Sequence, residues 1–418
     1  MNKIAAIFLC IFLLTVLFSH VPAAEATEQG DDITASDSAV SAINAFAVDV
    51  YRQLATDDGN LFFSPYSISS ALTMTYAGAK GDTAEEMAQA FHFAGYESEI
   101  HAAMKTLQDR FNSIPDEIGT LETANRLWLD KREKLTADFE AITGEYYEAG
   151  VEKADFFAAH ESARVEINDW VAQKTKDKIK NLLQENNVTS DTKLILVNAI
   201  YFNSAWLDPF KKTLTRDEPF RTGKDEQYNV PMMRRTANFL YGENPDAQWI
   251  RIPYKIPGFS MTILLPRENE PFTQLEELEK KLTSEALASW MTHMSYKQVS
   301  LRMPKFKDEQ RYSLAEMLKK LGVILAFTED ADFSGMVEEP DKNGNAIHID
   351  FVIHQAFIEL DEEKTEAAAA TAVGVTATSA MPVEPEQIIE FKADHPFIYC
   401  LTDDKTGVIL FMGRMANP

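Results

Sequence analysis

Residues able to do chemistry are sparse in this 418-residue chain. The eight histidines are His20, His92, His101, His160, His293, His348, His354 and His395, and no two share metal-ligand spacing. There is no G-x-S-x-G nucleophile elbow, no G-x-x-x-x-G-K or G-x-G-x-x-G phosphate loop, no C-x-x-C and no H-E-x-x-H. Only two cysteines occur. Cys10 lies in an apolar N-terminal run. Cys400 sits between Tyr399 and Leu401, the setting of a buried inert thiol rather than a nucleophile. No catalytic set assembles from these residues. The expectation is a non-enzyme with no cofactor and no metal.

One stretch stands out for lacking chemistry altogether. Glu362–Pro382 reads EEKTEAAAATAVGVTATSAMP, and from Ala367 to Val383 it carries no charge in a chain that is 25% charged. Two apolar, strand-like runs flank it, Phe351–Leu360 and Gln387–Leu401. A solvated linker is one reading. At period 2, however, Thr365, Ala367, Ala369, Thr371, Val373 and Val375 share a face with no charge, which suits burial in a sheet. Glu366, Ala368, Ala370, Ala372, Gly374 and Thr376 share the other, which suits solvent. A segment fit for both an exposed loop and a buried strand suggests a switch.

Ser36–Leu54 has a helical apolar stripe. In Asn60–Gly81, Ser64 caps a helix that opens at Pro65. Thr83-Ala-Glu-Glu86 has the form of a capping box for a helix to about Phe93. Ile167–Leu183 and Arg311–Gly322 read as helices. Lys174–Lys180, the one dense basic run, falls on the first of these as a solvated face. Strands are expected at Thr123–Leu129, Lys193–Trp206, Phe259–Leu265, Ser300–Pro304, Phe351–Leu360, Ile388–Leu401 and Val408–Gly413. Lys193–Trp206 reads as a central strand covered on both faces, broken by Asn198. A buried Asn198 costs a few kcal/mol unless its amide is hydrogen-bonded, so polar partners are predicted inside the core. Helices early and strands late make the class α+β.

Met1–Ala24 reads as a secretory signal peptide, with Lys3, the apolar run Ile4–Phe18, and small-residue cleavage sites at Val21–Ala23 and Ala24–Ala26. Residues 25–35 read as a flexible segment and 36–418 as the folded domain. Net charge is −25. Losing Met1–Ala24, with one Lys and no acid, makes it −26. Such a surface opposes nucleic acid and anionic membranes. Asn187-Val188-Thr189 matches a glycosylation sequon.

Four stretches resemble the serpins, the serine protease inhibitor family: Asn60–Met87, Leu196–Phe210, His354–Ala372 and Ala393–Pro418. The resemblance covers roughly Ser36 to Pro418. It implies a single α+β domain with a large central, mainly antiparallel sheet, further sheets, surrounding helices and an exposed reactive loop at about 362–382. It implies a monomer whose partner is a target serine protease, held as a covalent acyl complex after the cleaved loop inserts into the sheet. By its motif the loop hinge is Glu362, Glu363, Lys364, Thr365, Glu366, Ala367, Ala368, Ala369 and Ala370. The family's loop length places the scissile bond at Thr378–Ser379, with Ala377–Thr378 as the neighbouring alternative.

A small residue at that bond suits a small specificity pocket, elastase-like or subtilisin-like. Ser64, Ser67, Asn198 and His354 match the family's shutter beneath the opening sheet. Trp206, Lys305 and Glu362 match its breach, where the loop first enters, with Lys305–Glu362 as an ion pair. One departure stands at Lys364, where inhibitory members usually carry Gly; Lys stiffens the swing from loop to strand. That residue keeps a non-inhibitory binding or carrier protein as the alternative, beside an inhibitor of papain-like cysteine proteases.

Overall fold

Two sheets organise the chain in a computed structural model, which describes residues 37–147, 151–222, 226–267, 271–338, 347–363 and 387–418. The helices are α1 (Asp37–Leu54), α2 (Pro65–Tyr76), α3 (Gly81–Ala90), α4 (Ile100–Asn112), α5 (Ala137–Tyr147), α6 (Phe156–Lys174), α7 (Pro271–Lys281), α8 (Ser284–Thr292) and α9 (Ala315–Lys320). The strands run β1 (Leu61–Phe63), β2 (Gly119–Asp130), β3 (Glu152–Ala154), β4 (Leu194–Ser204), β5 (Arg216–Arg221), β6 (Gln227–Glu243) and β7 (Ala247–Pro253). They continue with β8 (Phe259–Pro266), β9 (Ser295–Pro304), β10 (Phe306–Ser313), β11 (Phe351–Leu360), β12 (Ile389–Lys392), β13 (Phe397–Asp403) and β14 (Ile409–Met415). Helices and sheets segregate along the chain, so the class is α+β.

The nine-stranded sheet has the order β1-β14-β13-β8-β7-β6-β9-β12, with β5 beside β6. Its neighbours are antiparallel except β9 and β12. The five-stranded sheet has the order β10-β11-β4-β2-β3. It is mixed: β11–β4 and β2–β3 are parallel, β10–β11 and β4–β2 antiparallel. β4 is buried on both faces, as its unbroken apolar run requires. Leu194, Leu196, Ile200 and Phe202 join the main core, while Ile195, Val197 and Ala199 join a second core beneath α6. Burying a large aliphatic side chain stabilises the fold by about 1.5–3 kcal/mol. Two-sided burial therefore makes β4 a rigid reference for what lies beside it.

α2 begins as its residues dictate. Ser64 takes an extended backbone, its Oγ accepts the Ser67 N–H, and Pro65 fills the first helical position. Several elements depart from the sequence reading. α6 starts earlier, capped by Asp155, and ends at Lys174 instead of running to Leu183. Lys176, Asp177 and Asn181 turn to positive φ there. Ile179 and Leu182 are buried as expected, but on an irregular segment whose apolar spacing imitates a helix. Only half of Arg311–Gly322 is helix: Arg311 belongs to β10, and the helix is Ala315–Lys320. β10 is an edge strand, and edges carry charge in place of an apolar alternation. The expected strand Ile388–Leu401 divides into β12 and β13, because Pro396 cannot donate to a ladder. α3 starts at Gly81 without the Thr83–Glu86 box. Thr83 Oγ1 accepts from the Asp332 N–H, and the Glu86 carboxylate accepts from Ile324 and Leu325.

Candidate functional site

β4 and β11 are parallel neighbours with no strand between them, and they form the seam on which the site is built. Their register runs from Ile195–Phe351 to Tyr201–Phe357. Pairing then stops although both strands continue, to Ser204 and Leu360. At that end a narrow cleft is lined by Phe202, Ser204, Trp206, Tyr254, Ile358 and Leu360.

Midway along the seam lies a buried polar cluster. Asn198 and His354 are direct register partners, and Asn125 of β2 is the partner of Asn198 on its other side. Asn198 Nδ2 lies 2.6 Å from both Ser67 O and Ser67 Oγ and 2.5 Å from Asn125 Oδ1. Ser67 Oγ in turn donates to Asn125 Oδ1 at 2.9 Å. The His354 ring bridges two elements. Its Nε2 accepts the Ser64 N–H at 3.0 Å, which leaves Nδ1 as the donor to Asn198 Oδ1. Ser64 Oγ reaches onward to Leu410 O at 2.5 Å. These contacts are the partners that a buried Asn198 demands. Full burial drives the His354 pKa down to about 3, so the ring is neutral at any physiological pH.

At the open end of the seam the chain leaves β11 through Asp361, Glu362 and Glu363. Trp206 Nε1 donates to Asp361 O at 2.9 Å, and its ring stacks on Tyr254 at 4.5 Å. Phe210 N–H donates to Glu362 O. The buried Glu362 carboxylate meets Lys305 Nζ at 2.5 Å and accepts from Thr215 Oγ1 at 2.6 Å. Burial alone would raise its pKa, but these bonds outweigh burial and the pKa falls below the usual carboxylate value. The exposed Glu363 pairs with Lys212 at 3.0 Å.

The residues carried over from the resemblance thus fall into two groups. Ser64, Ser67, Asn198 and His354 form one network, and Trp206, Lys305 and Glu362 gather at the open end. Lys364, Thr365, Glu366, Ala367, Ala368, Ala369, Ala370, Thr378 and Ser379 lie outside the described residues. Sequence reasoning missed Asn125, Thr215 and Lys212. None of the three had a clear signal: Asn125 stands among Glu122, Thr123 and Arg126 on a strand of mixed polarity, and Thr215 and Lys212 lie outside any apolar pattern. Among the described residues no three His, Cys, Asp or Glu side chains gather to hold a metal ion. Cys400 is buried with its thiol pKa pushed up to about 12 by that burial, so it is inert.

Residues 41–418 match the family model described as serpin (serine protease inhibitor). The chain is 41% identical over 387 residues to a leukocyte elastase inhibitor of Bos taurus, covering 91% of this chain and 99% of that one. It is 38% identical over 399 residues to an uncharacterized serpin-like protein of Methanosarcina mazei, covering 94% and 90%. The crystal structure of uncleaved ovalbumin superposes with a TM-score of 0.81 at 29% identity, covering 91% of this chain and all of that one. A match of this length, with the parallel seam and its polar cluster in place, means that the chain belongs to the serpin family.

Proposed function

We propose that this chain is a secreted suicide-substrate inhibitor of serine endopeptidases with a small specificity pocket, elastase-like or subtilisin-like. The observation that carries the reading is the seam. β4 and β11 stop pairing three residues short of their ends, and the chain leading to the reactive loop departs from that opening. A strand entering there runs antiparallel to both neighbours, replacing one parallel ladder by two antiparallel ones.

The reaction follows. The protease serine attacks the Thr378 carbonyl, the Thr378–Ser379 peptide bond breaks, and Ser379 leaves as an amine carrying the serine's proton. Thr378 is then held as an ester. About 15 inserted residues at roughly 3.3 Å each carry that ester about 50 Å from its starting point. Insertion must outrun hydrolysis, so the uncleaved state is metastable and held by kinetics. Glu362 anchors the base of the moving strand, and Thr365 and Ala367–Ala370 supply small side chains for the turn into the sheet. Met1–Ala24 serves as the export signal and 36–418 as the inhibitory domain. The bovine relative's name, leukocyte elastase inhibitor, supports the small-pocket target.

A denaturing gel with pancreatic elastase and subtilisin tests the reading. A band at the summed mass of the protease and the chain through Thr378 supports it; cleaved inhibitor alone across small-pocket proteases sinks it. Lys364 favours a second reading, a non-inhibitory binding or carrier member of the fold, for which loop cleavage leaves the melting temperature nearly unchanged.

A further inference from the structure

The C-terminal end of β12 carries a charge pattern at odds with the chain's composition. Lys392 of β12 is the register partner of Arg302 of β9, and Arg302 is the partner of Arg234 of β6. Three cations thus stand side by side across three strands, each about one-third exposed. Like charges directly opposite one another destabilise a sheet. Carboxylates from flanking positions offset the row. Glu218 of β5 meets both arginines, Glu390 meets Arg302 at 3.1 Å, and Asp394 meets Lys392 at 2.7 Å. Even so, burial and the nearness of Arg302 and Arg216 lower the Arg234 pKa.

Two of the three cations also line a cleft of about 640 Å³ between β12 and the paired ends of β7 and β8. Its walls include Gln248, Arg267, Arg302, Glu390, Lys392 and His395. Among the described residues that line it, the exposed Glu390 is the only carboxylate. His395 is buried, with Nε2 2.9 Å from Pro266 O and Nδ1 3.0 Å from Asp394 Oδ1. Arg221 Nη2 lies farther from that Nδ1, at 3.4 Å. The two nearer partners only accept, an arrangement that suits an imidazolium. In a chain with 40 Lys and Arg against 65 Asp and Glu, a wall of one sign is not a product of composition.

The residue types fit one ligand chemistry. An arginine fork meets phosphate or sulfate oxygens in pairs, and a lysine adds a point charge. The volume is that of a small-molecule site. A ligand filling the cleft touches three separate elements: Lys392 ends β12, Arg302 lies in β9, and Arg267 follows β8. β12 ends the nine-stranded sheet and is held to β9 over Ile389–Lys392 alone.

We infer that this cleft binds a small ligand bearing phosphate or sulfate groups, and that the ligand cross-links β12 to β9 and to the β7–β8 end. The site goes beyond the protease inhibition proposed above and does not depend on it.

Calorimetric titration of the full chain with inorganic pyrophosphate and with a sulfated disaccharide, both at ~0.15 M salt to screen weak surface attraction, tests the site. Saturable binding of either supports it, and the tighter probe separates a phosphorylated ligand from a sulfated sugar. At about ten times Kd, hydrogen exchange of the Glu390–Lys392 amides is expected to slow about tenfold, because opening that dismantles the site must first lose the ligand. Arg302→Gln and Arg267→Gln are each expected to weaken binding about tenfold or more, the worth of one charge-assisted hydrogen bond. Arg267 lies outside the register pairs of β7 and β8, so its variant keeps the test decisive where Arg302→Gln folds poorly. No binding of either probe at about 10 mM, or undiminished binding by the folded variants, overturns the site. Binding with unchanged exchange in β12 overturns the cross-link.

Discussion

Asn198 and His354 face each other across the parallel seam, joined by a bond from the imidazole Nδ1 to the amide oxygen. They are the one register pair of this seam in which both side chains are polar. The same two residues reach α2 through Ser67 and Ser64. A network of this kind ties the sheet to the helix beneath it while leaving the seam a small set of separable bonds.

Removing the amide therefore strips several partners at once. Asn198→Ala leaves the His354 Nδ1–H without its acceptor and takes the amide donor from Ser67 O, Ser67 Oγ and Asn125 Oδ1 in a dry interior, though Asn125 Oδ1 keeps the Ser67 hydroxyl. The expected loss of stability is about 2–4 kcal/mol, read from urea unfolding at pH 7.5. A loss below about 0.5 kcal/mol, the level of an ordinary surface change, contradicts the network's role.

The buried imidazole adds a pH dependence of definite sign. His354 has a folded pKa of about 3, against about 6.5 when unfolded. Between those values the unfolded chain binds more protons, so stability is complete above about 6.5 and falls as pH drops toward 3. The slope approaches 1.4 kcal/mol per pH unit, about 2 kcal/mol between pH 6.5 and 5. Burial lowers His101 to about 4, in the same direction. The measurement is thus a difference, with the pH slope of His354→Gln expected to be flatter than that of wild type. Equal slopes contradict the assignment.

At the open end, Glu362→Ala leaves Lys305 and Thr215 without their shared acceptor. A destabilisation of about 2 kcal/mol is expected for the uncleaved chain, seen as a lower thermal midpoint. Because the Glu362 pKa is lowered in the fold, its contribution is present above the unfolded value and fades as pH falls through the folded one. The variant's deficit should shrink below about pH 4; a deficit that persists there points to packing instead of charge.

How much of this was legible beforehand depended on burial. Asn198 announced itself because a lone amide in an unbroken apolar run has to find partners, and β11 read correctly to the residue for the same reason. β10 misled because an edge strand pairs on one side only and fills its other positions with Lys, Glu and Arg. The irregular segment after α6 misled because Ile179 and Leu182 keep helical spacing while resting on a sheet. Thr215 and Lys212 were invisible: their roles depend on Glu362 and Glu363, nearly 150 residues away. β5, β6 and β7, with α4, α5, α7 and α8, went unread; β5 and β6 leave most of their residues exposed or half-buried, so no clean apolar alternation marks them.

Under the proposed mechanism, Lys364 limits how fast the loop inserts. Lys364→Gly restores backbone freedom at the hinge and is expected to lower the number of inhibitor molecules consumed per protease trapped by about twofold or more. Titration of active subtilisin reads this directly. A ratio unchanged by the substitution removes Lys364 as the limit on insertion.

The central claim is that cleavage at Thr378–Ser379 leaves the protease esterified to a chain that has already taken up its own loop. Intact mass spectrometry of the denatured mixture with pancreatic elastase tests it most directly. The predicted result is a species equal in mass to the protease plus the chain through Thr378, less one water, beside a released peptide of residues 379–418. Free protease with two unlinked fragments of the chain, and no ester-linked species, contradicts the account.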